Sequence, residues 1–454
     1  MGIFNKLQLG TVLAIYIHKR KLRGVFKMKN AMIDLLKNEV KPAMGCTEPI
    51  AVALAGAVAR EAGQHTDVES VELIVSPNLY KNGLAVGIPQ TEEVGLDVAV
   101  AIGAFGGSAD NGLEVMKSVT PEAVKRALAL VEAGKVKIDI KSTDEKIYIE
   151  AILHSPMGQT SAVIRKKHDD VYFVKHNDEI KFERVLVEEE ATGEVNPFFE
   201  LSIKEIVETV ESMTFSELEF LLEGLSMNGA VSEAGLKTRL GMGVGYSVKE
   251  NIDKGLLAED LPTKAMYMTA AASDARMSGI TMPVMSSNGS GNNGLTAIIP
   301  LIAYRSSHEV SDEKMVQALA MSHLINCYIK HFIGRLSAIC SCGVSAATGA
   351  SCAIAWLRGG SVQVIEGTIQ NMIGNISGMI CDGAKNGCAM KLATAASTGV
   401  HAALMAESGC VVAPRDGIVG RSVEESIRNL GIVGEQGMRV TDLVILDVMK
   451  SMEA

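Results

Sequence analysis

The chain has 454 residues, 47% of them hydrophobic, enough to bury a large core of two or three domains, which excludes global disorder. Aromatics are only 4%, whereas Gly (44) and Met (23) are plentiful, a balance that suits closely packed helices and fits all-β architectures poorly. The net charge of −10, with no Lys/Arg-rich stripe in the body of the chain, gives no nucleic-acid surface. The longest apolar run, "LTAIIPLIAY", falls short of the roughly 18 residues of a membrane span.

Residues 1–27 stand apart as a basic N-terminal extension, carrying Lys6, Lys19, Arg20, Lys21, Arg23 and Lys27 and no acid. "LGTVLAIYI" has the length of a signal core, but "HKRKLRG" follows it in place of a small-residue cleavage site. Met28 would begin a protein naturally. Without export the expected compartment is the reducing cytoplasm, where eight cysteines are thiols or ligands rather than a disulfide framework.

From Ala31 to Gly63 the pattern is helical, broken at "KPAMGCTEP". "VESVELIVSP" alternates and predicts a strand. "YKNGLAVGIP" carries an Asn-Gly turn signal, and "GLDVAVAIGAFGG" predicts a buried, small-residue helix. Several short alternating runs between Val136 and Val187 predict a strand-rich stretch, and residues 188–197 read as a linker. From Ser202 onward the period is near 3.6 and glycine clusters interrupt it. The predicted fold is therefore α+β: a mixed N-terminal domain over residues 28–195, then a larger all-helical domain over residues 196–454.

Three stretches could carry chemistry. "CDGAKNGCAMK" (381–391) sets Cys381 and Cys388 among polar and glycine residues, unlike the apolar company a buried thiol usually keeps. On a continuous helix they would lie about 10 Å apart, too far for one small centre. Gly383 and Gly387 argue instead for a loop that folds back, with Cys388 opening a helix. Cys340 and Cys342 sit two apart, a spacing that does not share a helix face. None of these spacings matches a ferredoxin or a zinc Cys-x2-Cys pair. Cys327, Cys352 and Cys410 lie in apolar or small-residue runs and read as packing.

The second stretch places Ser286, Ser287, Asn288, Ser290, Asn292 and Asn293 with three glycines just before an apolar helix, an array of donors suited to a carboxylate or phosphate. It is not a Walker A loop, and "GMGVGYSVKENI" is no dinucleotide fingerprint, since no strand leads into it. The third is "KPAMGCTEP", where Cys46 precedes a helix start, a position that lowers a thiol's pKa. His168 reads as a surface turn, and His308, His323, His331 and His401 show no ligand spacing.

Together "GCTEPIAVALA", "YKNGLAVGIP", "ASDARMSGITMPVMSSNGSGNNGLTA", "GRLSAICSCGVSAATGAS", "GMICDGAKNGCAMKLATAA" and "DGIVGRSVEESIRNLG" resemble the L-cysteine desulfidases and their uncharacterised relatives, kin to the α chain of iron–sulfur L-serine dehydratase. The resemblance runs from about Met28 to the C-terminus in consistent order. It implies a cytoplasmic lyase with an oxygen-sensitive 4Fe-4S cluster and no pyridoxal phosphate, acting on a small amino acid without nucleic-acid or membrane partners, and leaves room for a homo-oligomer. It implies cluster ligands Cys381, Cys388 and one of Cys340 or Cys342, with Cys342 favoured, Cys46 as the base for the Cα proton, and the loop with Ser286, Ser287, Asn288, Ser290 and Asn292 as the carboxylate site. L-Cysteine is the implied substrate, with L-serine the nearest alternative. A non-catalytic metabolite-binding or redox-sensing relative and a cluster-free hydrolase built on Cys46 are the other readings. One departure is Gln90 in "IPQT", where glycine is expected.

Overall fold

A computed structural model of the chain describes residues 27–45, 47–91, 93–143, 145–184, 196–334 and 338–452. The expected N-terminal extension, apart from residue 27, and most of the expected linker lie outside the described residues, as does Cys46.

Helix α1 covers residues 27–39 and buries Met32, Ile33 and Leu36 at helical spacing. Strand β1 (Pro42–Met44) and helix α2 (Thr47–Gly63) follow. A six-stranded sheet comes next, with β2 (Ser70–Val75), β3 (Val136–Ile140), β4 (Tyr148–Ser155), β5 (Gly158–Arg165), β6 (Val171–His176) and β7 (Glu179–Glu183) in the order β3-β2-β4-β5-β6-β7. Only β2 and β3 run parallel. The alternation visible in the sequence sets one face: Val71, Leu73 and Val75 of β2 lie opposite Leu153, Ala151 and Ile149 of β4, all buried.

Between β2 and β3 come α3 (Pro77–Gly83), α4 (Leu96–Gly106) and α5 (Pro121–Glu132). The Asn-Gly pair of "YKNG" makes no hairpin turn. Asn82 and Gly83 finish α3, whose end is closed by Leu84 N–H on the Tyr80 carbonyl, and Pro77 at its start outweighs the turn signal. Helices α2 and α4 touch backbone to backbone, since a Cβ on Gly103 would stand 2.0 Å from the Ala53 carbonyl oxygen. This close approach explains the small-residue character of "GLDVAVAIGAFGG".

The rest is helical: α6 (Ile203–Glu211), α7 (Phe215–Leu218), α8 (Glu223–Lys237), α9 (Val244–Asp253), α10 (Leu261–Met277), α11 (Gly291–Arg305), α12 (Asp312–Ile333), α13 (Ala347–Leu357), α14 (Val362–Ile376), α15 (Cys388–Glu407), α16 (Val423–Ile432) and α17 (Arg439–Ser451). The one strand here among the described residues, β8 (Pro283–Met285), pairs antiparallel with β1. Core membership does not follow chain order. Helix α1 packs with Phe198, Ile203 and Val207 in the helical core, while Leu446 of α17 joins the core beside the sheet. The two halves are stapled by each other's terminal helix.

Gln90 adopts a left-handed φ of +69°, as expected of a position suited to glycine, and its Nε2 donates to the Met116 carbonyl at 2.9 Å. Gln90→Ala and Gln90→Gly both remove that bond, but only alanine keeps the backbone strain. Alanine is expected to be the less stable variant by about 1 kcal/mol in urea unfolding.

Candidate functional site

Two distant segments meet in a short antiparallel contact between Ile339 and Ile380. Cys340 N–H donates to the Met379 carbonyl at 2.8 Å, and Cys381 N–H donates to the Ala338 carbonyl at 2.7 Å. Just beyond the first segment the chain makes one π-helical turn, Cys342–Ala346, a form often found at functional sites. Just beyond the second, the loop folds back at Gly383, with φ +95°, where a Cβ would stand 2.0 Å from the Lys81 carbonyl oxygen. Cys388 then opens α15, its thiol 3.6 Å from the Gly383 carbonyl oxygen.

These contacts bring Cys340, Cys342, Cys381 and Cys388 into one electrostatic neighbourhood. Burial pushes the Cys340 thiol well up, and the negative charge that Cys342, Cys381 and Cys388 would carry adds to it. Burial likewise raises Cys342, against the pull of Lys330 and a Ser290 hydrogen bond, and pushes Cys388 up to about 12. No disulfide joins the described cysteines. Neighbouring thiols, one buried and three half-buried, that repel one another when ionised are relieved by a thiophilic cation, so the chemistry of the donor set suits a metal. Among the described residues, no three His, Cys, Asp or Glu side chains converge on a single ion. An iron–sulfur cluster is wider than a single ion and takes its thiolates around its rim.

Of the remaining described cysteines, Cys327 and Cys352 are buried in α12 and α13, as packing residues should be. Cys410 is exposed, contrary to the packing expected from its apolar neighbours. The chain has left α15 at Gly409, with φ +78°, and Val411 is itself 37% exposed.

Lys385 and Lys391 both pair with Asp382, and the Nζ of Lys391 also donates to the Ile380 carbonyl at 2.9 Å. Burial alone would raise the Asp382 carboxyl, but these two lysines hold it below the usual range. Ala85 bridges Lys385, so the "YKNGLAVGIP" stretch lies along the thiol loop.

The serine–asparagine loop lies beside Cys342. It is clasped from outside by the N-terminal segment, because Ser286 N–H and Oγ both donate to the Lys41 carbonyl, at 2.8 and 2.6 Å, and Asn288 N–H donates to the Glu39 carbonyl at 3.0 Å. Inside, Ser287 Oγ accepts from Asn326 Nδ2 at 3.0 Å and Asn288 Nδ2 at 3.2 Å, and lies 2.9 Å from His323 Nδ1. A hydroxyl that accepts two amides gives its own proton to the ring, which leaves His323 neutral with its hydrogen on Nε2. Lys330 Nζ donates to the Asn288 carbonyl at 2.7 Å. Ser286, Ser287 and Asn288 are thus engaged in holding the loop.

Ser290 and Asn292 are placed differently. Ser290 caps α11 and lies 3.7 Å from the Cys342 sulfur, while Asn293 Nδ2 donates to that sulfur at 3.6 Å and to Ser341 Oγ at 2.7 Å. Asn292 Oδ1 accepts from Arg276 Nη1 at 3.1 Å, and Arg276 Nη2 donates to the Gly45 carbonyl at 2.9 Å. The neighbour of Cys46 is therefore tied to the loop, although Cys46 itself lies outside the described residues.

Sequence reasoning missed Arg276, His323, Asn326 and Lys330. The last three recur at helical spacing along α12, a polar stripe that could have marked them. Arg276 closes an alanine-rich run and carries no comparable signal.

His323 is buried, and desolvation lowers its pKa to about 4 from 6.5. Above pH 6.5 the ring is neutral folded or unfolded and contributes nothing. As pH falls toward 4 the unfolded chain binds the proton first, so stability drops by roughly 2–3 kcal/mol. Unfolding free energies from urea titrations at pH 7 and pH 4.5 are expected to differ less in His323→Gln than in the wild type, by about that amount.

The family model for the serine dehydratase alpha chain matches residues 110–447. A UPF0597 protein of Alkaliphilus oremlandii is 51% identical over 427 residues, covering 94% of this chain and 99% of that protein. Another, of Clostridioides difficile strain 630, is 48% identical over 424 residues, covering 92% and 99%. One of Parabacteroides distasonis is 41% identical over 425 residues, covering 93% and 98%. With its thiol loop and its serine–asparagine loop both inside the matched span, the chain belongs to the serine dehydratase alpha-chain family.

Proposed function

We propose that the protein is an iron–sulfur lyase that converts L-cysteine to pyruvate, ammonia and hydrogen sulfide. The observation that carries this reading is the convergence of four free thiols beside a helix N-terminus rich in hydrogen-bond donors.

Cys381, Cys388 and Cys342 would hold a 4Fe-4S cluster, with Cys340 the alternative third ligand. Cys342 is favoured because Asn293 Nδ2 donates to its sulfur and the Ser290 hydroxyl lies 3.7 Å from it, which suits a thiolate. When bound, the cluster supplies Lewis acidity for a leaving group that departs poorly by itself.

The chain's own residues account for the rest. The loop from Ser286 to Asn293 would hold the substrate beside Cys342, its geometry kept by the buried Ser287–His323–Asn326 contacts. Cys46, immediately ahead of α2, would take the Cα proton, and the positive end of that helix favours the thiolate that must do so. Loss of that proton forms the Cα–Cβ double bond as the Cβ–S bond breaks and sulfide leaves. The resulting aminoacrylate tautomerises to an imine, which water hydrolyses to pyruvate and ammonia.

A second reading, L-serine dehydratase, is favoured by the description of the matching family. It needs the same proton removal, with hydroxide as the leaving group.

Protein purified without oxygen is expected to contain iron and acid-labile sulfide, to absorb in the visible, and to release sulfide from L-cysteine. Cys381→Ser and Cys388→Ser should abolish the absorption, while Cys352→Ser should leave it intact. Pyruvate from L-serine without sulfide from L-cysteine would move the assignment to the second reading. A cluster-loaded protein that turns over neither would make it a binding or sensing relative, and protein without iron would sink the proposal.

A further inference from the structure

Arg276 is 7% exposed, yet no carboxylate among the described residues pairs with it. Its two hydrogen bonds among the described residues go to neutral acceptors, the Asn292 side-chain oxygen and the Gly45 carbonyl. Its Nε has no hydrogen-bond partner among the described residues. A buried charge left unneutralised is costly, so such a guanidinium is best explained by an anion that arrives from outside.

The place for that anion is the N-terminus of α11. A Cβ on Gly291 would stand 2.3 Å from Arg276 Nε, so only glycine lets the guanidinium lie against the first turn of this 15-residue helix. The side chain and the leading N–H groups of the helix then present positive charge side by side. Gly289 is exposed and Ser290 half-buried, so this end of the helix opens outward while Arg276 closes it from beneath.

We infer that Arg276, together with the N-terminus of α11, anchors the α-carboxylate of an amino-acid substrate. The inference rests on the lyase reading and deepens it by naming the charged group that recognises the substrate. Arg276 also lies near enough to Cys342 to stabilise its thiolate, and the competing explanation is that this thiolate is the only anion it serves. A fork-shaped guanidinium suits a carboxylate better than a single sulfur, because it can donate two parallel bonds.

The test uses anaerobically reconstituted protein and two probes without a leaving group, L-alanine and L-alaninamide, titrated calorimetrically. Wild type is expected to bind L-alanine at least roughly tenfold more tightly than the uncharged-end amide. Arg276→Gln should weaken L-alanine roughly ten- to a hundredfold and leave L-alaninamide nearly unchanged, so that the discrimination collapses. Gly291→Ala, which displaces the guanidinium and leaves its charge, should have the same effect and serves if Arg276→Gln does not fold. Equal binding of the two probes by wild type, no binding of L-alanine, or full discrimination in both variants would overturn the inference. Failure to load iron would instead remove the lyase reading, and the discrimination between probes would still be measurable.

Discussion

The site depends on one small piece of backbone pairing. Where Ile339 meets Ile380, two hydrogen bonds align segments about forty residues apart, and four thiols are carried to one place by the turns that follow. One side chain reinforces the junction, Lys391 Nζ donating to the Ile380 carbonyl at 2.9 Å. Each segment satisfies backbone donors that burial would otherwise strand, which makes the register costly to slip. Beyond it, a π-helical turn on one side and a left-handed glycine on the other bend both chains back toward the junction. Gly383 is obligatory on two counts, its positive φ and the Lys81 carbonyl against it.

Around that junction the helical core is unusually polar. His323, Asn326 and Lys330 project from the C-terminal half of α12 and meet Ser287, Asn288 and Asn293, with the Asn326 Oδ1 left without a partner among the described residues. In a low-dielectric interior such groups stabilise only one arrangement, since any displacement leaves several of them unpaired. The benefit is rigidity in a loop of serine, asparagine and glycine that would otherwise be mobile. Asn288 itself takes a left-handed φ of +51°, a strain that the network can hold.

The sheet-bearing half takes part in the site as well. Its β1 pairs with β8 just ahead of the serine–asparagine loop, Lys41 and Glu39 clasp that loop, and Ala85 lies against Lys385. Lys81, almost fully buried, is paired with Asp442 of α17. The exchange of terminal helices between the two cores couples these contacts to overall folding, so neither half is expected to keep the site in order by itself.

Much of this was legible without coordinates. Period-two runs marked β2 to β7, period-3.6 runs marked the helices, and the odd polar setting of Cys381 and Cys388 pointed to a folded-back thiol loop, because these signals arise from a few neighbouring residues. The Asn-Gly pair at 82–83 misled for the same reason, since a local turn preference gave way to a helix begun by Pro77. Long-range partners were invisible: the Arg276 bonds to Gly45 and Asn292, the Ser287–His323 contact, and the crossing of α1 and α17. A chain encodes which of its segments are helical or extended in its own spacing, whereas the choice of which buried charge faces which carbonyl is made only when packing removes water from both.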